Sequence, residues 1–320
     1  SDIVPSLGAL KVNKLLISDL LTEPDSYYEM VKKLNNYIGK YKPATFLGYN
    51  SIQFDEEFLR QSLWEFFHYP YITSTKNNFR GDIYNLVTMT HAFDPKSLNI
   101  EKNDEGKMIF KLESIASVNN FKIENAHEAI SDVIATKNVL EIIKNNSPKL
   151  HSNFFENTQI PRLAEKIKDN DFFSHYGYYF NRHYSYLLTY LMDHPVYNNY
   201  ALAFDLKFDP RNIIDLDYES LKVLYYDKKL KGEKFNCFKK LRLNKQPAIL
   251  KSDYVINKEP YKNIGMNELQ LRKELLESHD LKKNINKILT IEANNFEQIS
   301  EYEEETIYSD GIIFQDKIIM

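Results

Sequence analysis

The chain has 320 residues, 43% hydrophobic and 14% aromatic, and a formal net charge of −4. That length accommodates two or three domains with cores of their own, and the composition excludes an intrinsically disordered chain. No apolar run approaches the roughly 18–20 residues that span a bilayer, no signal-peptide pattern opens the chain, and the single cysteine, Cys237, excludes an internal disulfide framework. The expected compartment is the cytoplasm. Charge is uneven: residues 1–150 carry a net −2, residues 151–291 a net +5 and residues 292–320 a net −7. A basic middle suits phosphate binding, and equally suits lysines on an ordinary solvated surface.

In chain order, Pro24–Tyr37 has helical spacing, with Tyr27, Tyr28, Val31, Leu34 and Ile38 recurring on one side. Ala44–Tyr49 is a short apolar run suited to a buried strand. After the turn Asn50–Phe54, Asp55 opens a helix toward Phe67, with Phe58, Leu59, Leu63, Phe66 and Phe67 available for its core face. Arg80-Gly81-Asp82 leads into a helix over Ile83–Phe93. Asn103-Asp104-Glu105-Gly106 is a turn signal, and Lys111–Asn119 a short helix. His127–Lys144 is the longest helical pattern of this half, drawing on Ile130, Val133, Ile134, Val139, Leu140 and Ile143. Short strands alternating with helices indicate an α/β layered domain.

The texture changes after Asn145-Asn146-Ser147-Pro148. A helix over Asn153–Lys168 leads to strands at Tyr186–Leu191, Tyr200–Leu206, Phe238–Leu243 and Ala248–Leu250, with an inserted helix at Ser220–Tyr226. Asn267–Ile288 is again helical, and Glu301–Glu305 is an acidic patch. The expected domains are 1–148, 149–290 and 291–320.

Two motifs carry chemistry. Gly48-Tyr49-Asn50-x-x-x-Phe54-Asp55 follows a strand and opens a helix, so Asp55 either caps that helix or faces the crevice at the carboxyl end of the sheet. His127 and Asp132 stand five residues apart at the start of another helix. Taken singly each is unremarkable; a histidine and two carboxylates reaching one cleft hold metal ions and deprotonate a water.

Their order resembles the DEDDh superfamily of 3′→5′ exonucleases, whose second motif is Asn-x-x-x-(Phe/Tyr)-Asp and whose third is His-x-x-x-x-Asp. It is similar to one family in particular, bacterial exodeoxyribonuclease I, through Leu47–Glu57, Arg60, Pro70-Tyr71, Arg80-x-Asp82, Phe110-Lys111-Leu112-Glu113 and Asn125-Ala126-His127 to Asp132-Val133-x-Ala135-Thr136. The resemblance continues through His194-Pro195, Phe204-Asp205-Leu206, Leu216-Asp217 and Asn244-Lys245-x-Pro247.

That resemblance implies a ribonuclease H-like α/β exonuclease domain, an SH3-like β-rich domain and the start of a helical domain. It implies two Mg²⁺ ions, with Mn²⁺ as a substitute. Asp55 and Asp132 are the implied metal ligands and His127 the general base. Arg60, Tyr71 and Lys111 are the implied contacts to substrate, with Lys111 standing where the family has an arginine. The implied substrate is single-stranded DNA, the implied partner the single-stranded DNA-binding protein, and the implied state a monomer with no membrane attachment.

The family's first motif, Asp-x-Glu on an opening strand, has no match here. Asp217-x-Glu219 fits the pattern but lies among residues that resemble the second domain. The expectation is therefore an internal fragment, incomplete at its N-terminus and with little activity by itself. Two alternatives remain: a related DEDDh enzyme acting on RNA or proofreading a polymerase, and a catalytically dead single-strand-binding module.

Overall fold

The computed structural model describes residues 7–13, 16–22, 25–121 and 129–295. The described chain falls into two compact units, one within residues 1–148 and one within residues 149–297.

In the first unit, two short helices, α1 (Leu7–Asn13) and α2 (Ile17–Thr22), precede α3 (Tyr27–Gly39). A capping box sets where α3 starts: the Ser26 hydroxyl accepts from the Glu29 amide, and the Glu29 carboxylate accepts from the Ser26 amide. The helix therefore begins three residues after the expected Pro24. Val31 and Ile38 are its buried positions, packed with Leu63 and Ile72, while Tyr28 and Leu34, expected on the same face, are exposed.

Strand β1 (Thr45–Gly48) runs parallel to β2 (Phe79–Asp82), with Thr45 beside Phe79 and Gly48 beside Asp82. β1 is only half buried, since Leu47 is exposed. The sequence reading missed β2, because Arg80-Gly81-Asp82 contains no apolar run. Helix α4 (Asp55–Glu65) also departs from expectation: Leu63 is buried, but Phe58 and Phe67 are 67% and 76% exposed, and the buried face includes Glu56, Arg60 and Ser62. A core face built of charge requires internal partners, and these belong to the candidate site.

Helix α5 (Ile83–Phe93) buries Ile83, Leu86, Val87 and Thr90 as expected. The turn at Asn103–Gly106 also forms, with Gly106 at φ +76° and its amide donating to the Asn103 carbonyl. Helix α6 (Leu112–Val118) is followed by α7 (Ala129–Asn146), which packs on α5 and α6 through Ala135, Val139 and Ile143. Ile130, Val133 and Ile134, part of the same helical pattern, are exposed.

The second unit opens with α8 (Pro148–Thr158) and α9 (Ile160–Asp169), where one helix was expected. The break falls at Gln159, and Pro161, which cannot donate to a preceding turn, sits in the first turn of α9. An antiparallel sheet follows in the order β8-β5-β4-β3-β9, made of β3 (Phe173–Tyr179), β4 (Arg182–Asp193), β5 (Tyr200–Asp205), β8 (Phe238–Arg242) and β9 (Ala248–Lys251). The hairpin joining β3 to β4 turns on Phe180 and Asn181, at φ +52° and +57°, matching a tight turn of the primed type. Helix α10 (Tyr218–Asp227) and the small hairpin β6 (Lys229–Leu230) and β7 (Glu233–Lys234) lie between β5 and β8. Helices α11 (Met266–Leu275) and α12 (His279–Asn294) divide the expected Asn267–Ile288 helix, with the Ser278 hydroxyl capping the second.

The alternation of β5 shows how the sheet is covered. Ala201 and Ala203 join Leu163 and Ile167 of α9 in one core, while Leu202 and Phe204 join Leu221 and Leu224 of α10 and Leu281 and Ile285 of α12 in the other. The Phe204-Asp205-Leu206 segment has a structural use. Asp205 is fully buried, and its carboxylate accepts from the Tyr261 hydroxyl at 2.7 Å and the Lys207 amide at 3.2 Å. Asp217 is the N-cap of α10, accepting from the Ser220 amide at 2.8 Å. That is a helix-end role. Among the described residues no helix is long and apolar enough to cross a membrane.

Cys237 lies in the core shared by α10 and α12, fully buried, and burial pushes its thiol pKa well up. The folded protein is expected to resist a thiol reagent at neutral pH and to react with one equivalent once unfolded. A thiol titration followed across a urea series checks this; stoichiometric labelling of the native protein would contradict the placement.

Candidate active site

Two parallel strands bring Gly48 and Asp82 side by side at their carboxyl ends. The chain then turns sharply. Asn50 has a left-handed backbone, φ +57°, and a Cβ on Gly48 would come within 2.5 Å of the Ser51 Cβ, so this approach requires glycine. The Ser51 carbonyl accepts from the amides of Phe54 at 3.3 Å and Glu56 at 2.9 Å, which starts α4. Phe54 occupies the N-cap position without a side-chain bond, and Asp55 is the first residue of the helix. Asp55 is therefore not the helix cap. It is exposed and stands in the first turn, where the helix dipole favours negative charge.

What fixes this turn is Asp82. It is 3% exposed, and its carboxylate accepts three backbone amides: Asn50 at 2.7 Å and Tyr84 at 3.0 Å on Oδ1, and Ile52 at 3.3 Å on Oδ2. The same side chain thus ties the turn before α4 to the N-terminus of α5. Burial raises the Asp82 pKa, its three amide donors oppose that rise, and the nearby charge of Asp55 adds to it. Tyr49 braces the turn from the other side, its hydroxyl donating to the Phe110 carbonyl at 2.7 Å and its ring meeting Tyr84 edge-on.

Buried charge on α4 is paired. Glu56 accepts from the Thr73 hydroxyl at 2.7 Å and from Arg80 at 3.4 Å. Arg60, only 5% exposed, donates to Glu57 at 3.0 Å and lies over the Tyr71 ring at 5.5 Å. Arg60 and Tyr71 are thus brought together as a cation–π pair, with Arg60 buried and Tyr71 half-buried. Lys111 is exposed at the N-cap of α6, directly after the Phe110 that receives Tyr49. Asp132 is half exposed in the first turn of α7. His127 lies outside the described residues.

Among the described residues, no three His, Cys, Asp or Glu side chains form a group able to hold a metal ion. Both aspartates are hard oxygen donors of the type Mg²⁺ prefers. By themselves the described residues do not complete a divalent-metal site. Sequence reasoning quoted Arg80-x-Asp82 without giving either residue a role, and it missed Glu56. An acid at the last position of a strand, directly before a helix, was the available signal for Asp82.

A family model described as Exonuclease I SH3-like domain matches residues 172–298. Exodeoxyribonuclease I of Buchnera aphidicola subspecies Baizongia pistaciae is 29% identical over 270 residues, covering 80% of this chain and 55% of that relative. The chain is thus similar to exodeoxyribonuclease I over most of its own length. It spans about half the length of the exodeoxyribonuclease I relatives it matches. The fold agrees: Escherichia coli exonuclease I, solved with a dA16 oligonucleotide, superposes with a TM-score of 0.77 at 20% identity, over 99% of this chain and 70% of that one. A solved ExoI/SSB-Ct complex gives a TM-score of 0.76 at 19% identity, over 99% and 69%. The α/β unit followed by an SH3-like unit is therefore the exonuclease I arrangement of domains in sequence.

Removing the Asp82 carboxylate leaves three amides without their acceptor. Asp82→Ala is expected to lower stability by about 2–3 kcal/mol. Asp82→Asn should cost less, because its carbonyl oxygen still accepts from Asn50 and Tyr84. Urea midpoints measure both, and an unchanged midpoint in Asp82→Ala would contradict this account of the turn.

Proposed function

We propose that the whole protein removes nucleotides one at a time from the 3′ end of single-stranded DNA, releasing 5′-mononucleotides. The observation that carries this reading is the homology to exodeoxyribonuclease I, with Asp55 presented at the carboxyl end of a parallel strand pair. In this reading Asp55 and Asp132 supply carboxylate ligands to a pair of Mg²⁺ ions, for which Mn²⁺ can substitute. When bound, such ions supply charge neutralisation at the phosphate and an acidified water. His127 takes the proton from the attacking water, a task suited to an imidazole that titrates near neutrality. Lys111, and Tyr71 with Arg60 beside its ring, are the proposed contacts to phosphate and base.

Partners follow from the solved relatives, one of which holds a dA16 oligonucleotide and another SSB-Ct. We infer single-stranded DNA and the single-stranded DNA-binding protein as partners of a cytoplasmic, monomeric enzyme acting in DNA repair. The 320 residues contain the second and third motifs without a separate first-motif Asp-x-Glu, so by themselves they are expected to cleave poorly.

In the whole protein, His127→Ala and Asp132→Ala are each expected to slow cleavage of a 5′-labelled single strand by about 10²–10⁴-fold, with strand binding within about twofold of the parent. Chelation of divalent ions should stop the reaction, and Mg²⁺ should restore it. Unchanged turnover in Asp132→Ala with binding intact would favour the binding-module reading. Equal cleavage of matched RNA and DNA 3′ ends would favour a related RNA-directed exonuclease.

A further inference from the structure

Tyr49 connects two parts of the first unit that the proposed function uses separately. Its backbone belongs to the turn after β1, between Gly48, which pairs with Asp82, and Asn50, whose amide donates to the Asp82 carboxylate at 2.7 Å. Its side chain leaves that turn and reaches a residue 61 positions further along the chain, where its hydroxyl donates to the Phe110 carbonyl at 2.7 Å. That carbonyl belongs to the peptide joining Phe110 to Lys111.

The backbone on either side of this peptide is fixed as well. Before it, the Ile109 amide donates to the Glu101 carbonyl at 2.9 Å; after it, the Ile115 amide donates to the Lys111 carbonyl at 3.1 Å as α6 begins. Rings hold the tyrosine in line. Tyr49 meets Tyr84 edge-on at 5.8 Å, and Tyr84 meets the buried Phe110 edge-on at 6.3 Å. Phenylalanine at position 49 would keep these ring contacts, so packing does not account for the hydroxyl. Nor is the hydroxyl a base: burial pushes its pKa well up, and it stays a neutral donor at neutral pH.

What the hydroxyl adds is a fixed separation between the turn that presents Asp55 and the peptide that presents Lys111. Such a link matters more for a lysine than for an arginine. A lysine is a point charge on a flexible stem, without the planar fork that pre-organises a guanidinium, so its aim depends on where its backbone is held. A strand engaged at both residues is sensitive to small displacements of either.

We propose that Tyr49 is a positioning residue, which sets the place of Lys111 relative to the turn bearing Asp55 and thereby aligns the lysine with a phosphate of the strand. The proposal rests on the proposed function, in which Lys111 meets phosphate, and adds to it a residue that touches neither substrate nor metal.

The test is binding of a fluorescein-labelled single strand to the whole protein in EDTA, from about 50 to 200 mM salt. It compares the parent, Tyr49→Phe, Lys111→Gln and the double variant, with urea midpoints confirming that each is folded. Lys111→Gln should weaken binding and lower the slope of log affinity against log salt by about 0.7, the share of one phosphate contact. Tyr49→Phe removes no charge, yet it should weaken binding about fivefold and lower the same slope. The double variant should bind within about 1.5-fold of Lys111→Gln, because the hydroxyl acts through the lysine. Tyr49→Phe with the slope of the parent, or losses that multiply in the double variant, would overturn the proposal while leaving the lysine contact in place. Lys111→Gln binding as the parent does would instead remove that contact from the proposed function, and the role of Tyr49 with it.

Discussion

Three amides converging on one buried carboxylate hold the first unit in its working shape. Asp82 ends β2, caps α5 and receives the Asn50 and Ile52 amides of the turn that follows β1. Of these amides that of Ile52 is buried and would otherwise lack a partner, at a cost of about 1–3 kcal/mol. The turn in turn offers the Ser51 carbonyl to the first amides of α4, and the first residue of α4 is Asp55. A parallel strand pair, a left-handed asparagine and a glycine with no room for a side chain thus converge on the placement of one exposed acid.

The cost of that arrangement is visible in charge. Asp82 carries a negative group in a buried place beside Asp55, and its pKa rises for both reasons. Two aspartates close together repel each other unless positive charge intervenes. Placement of acids in this manner is common where a protein is built to receive a cation or a developing charge.

Much of this was legible in the sequence, and the failures have identifiable physical causes. The α5 helix and its core face were readable because Ile83, Leu86, Val87 and Thr90 keep strict helical spacing. The run Tyr200–Leu206 after the turn signal Asn198-Asn199 likewise marked a strand, though it did not say that both faces are covered. Strand β2 was hidden because parallel pairing with β1, not side-chain pattern, makes Phe79–Asp82 a strand. Phe58 and Phe67 were expected on a core face and Ile130, Val133 and Ile134 in a helical pattern, while the structure exposes all five and buries Glu56 and Arg60. Periodicity finds a helix but cannot choose its inner face when ion pairs compensate buried charge. Of the candidate site, Asp55 and the Arg60–Tyr71 pair could be placed, whereas His127 falls outside the described residues.

The central claim is that Asp55 and Asp132 belong to one metal-dependent hydrolytic centre. The most direct measurement is anomalous diffraction from crystals of the whole protein soaked in Mn²⁺. The account predicts manganese peaks within coordination distance of both the Asp55 and Asp132 carboxylates, lost from the Asp132 position in Asp132→Ala. Fully occupied manganese elsewhere, with none at either aspartate, would contradict it.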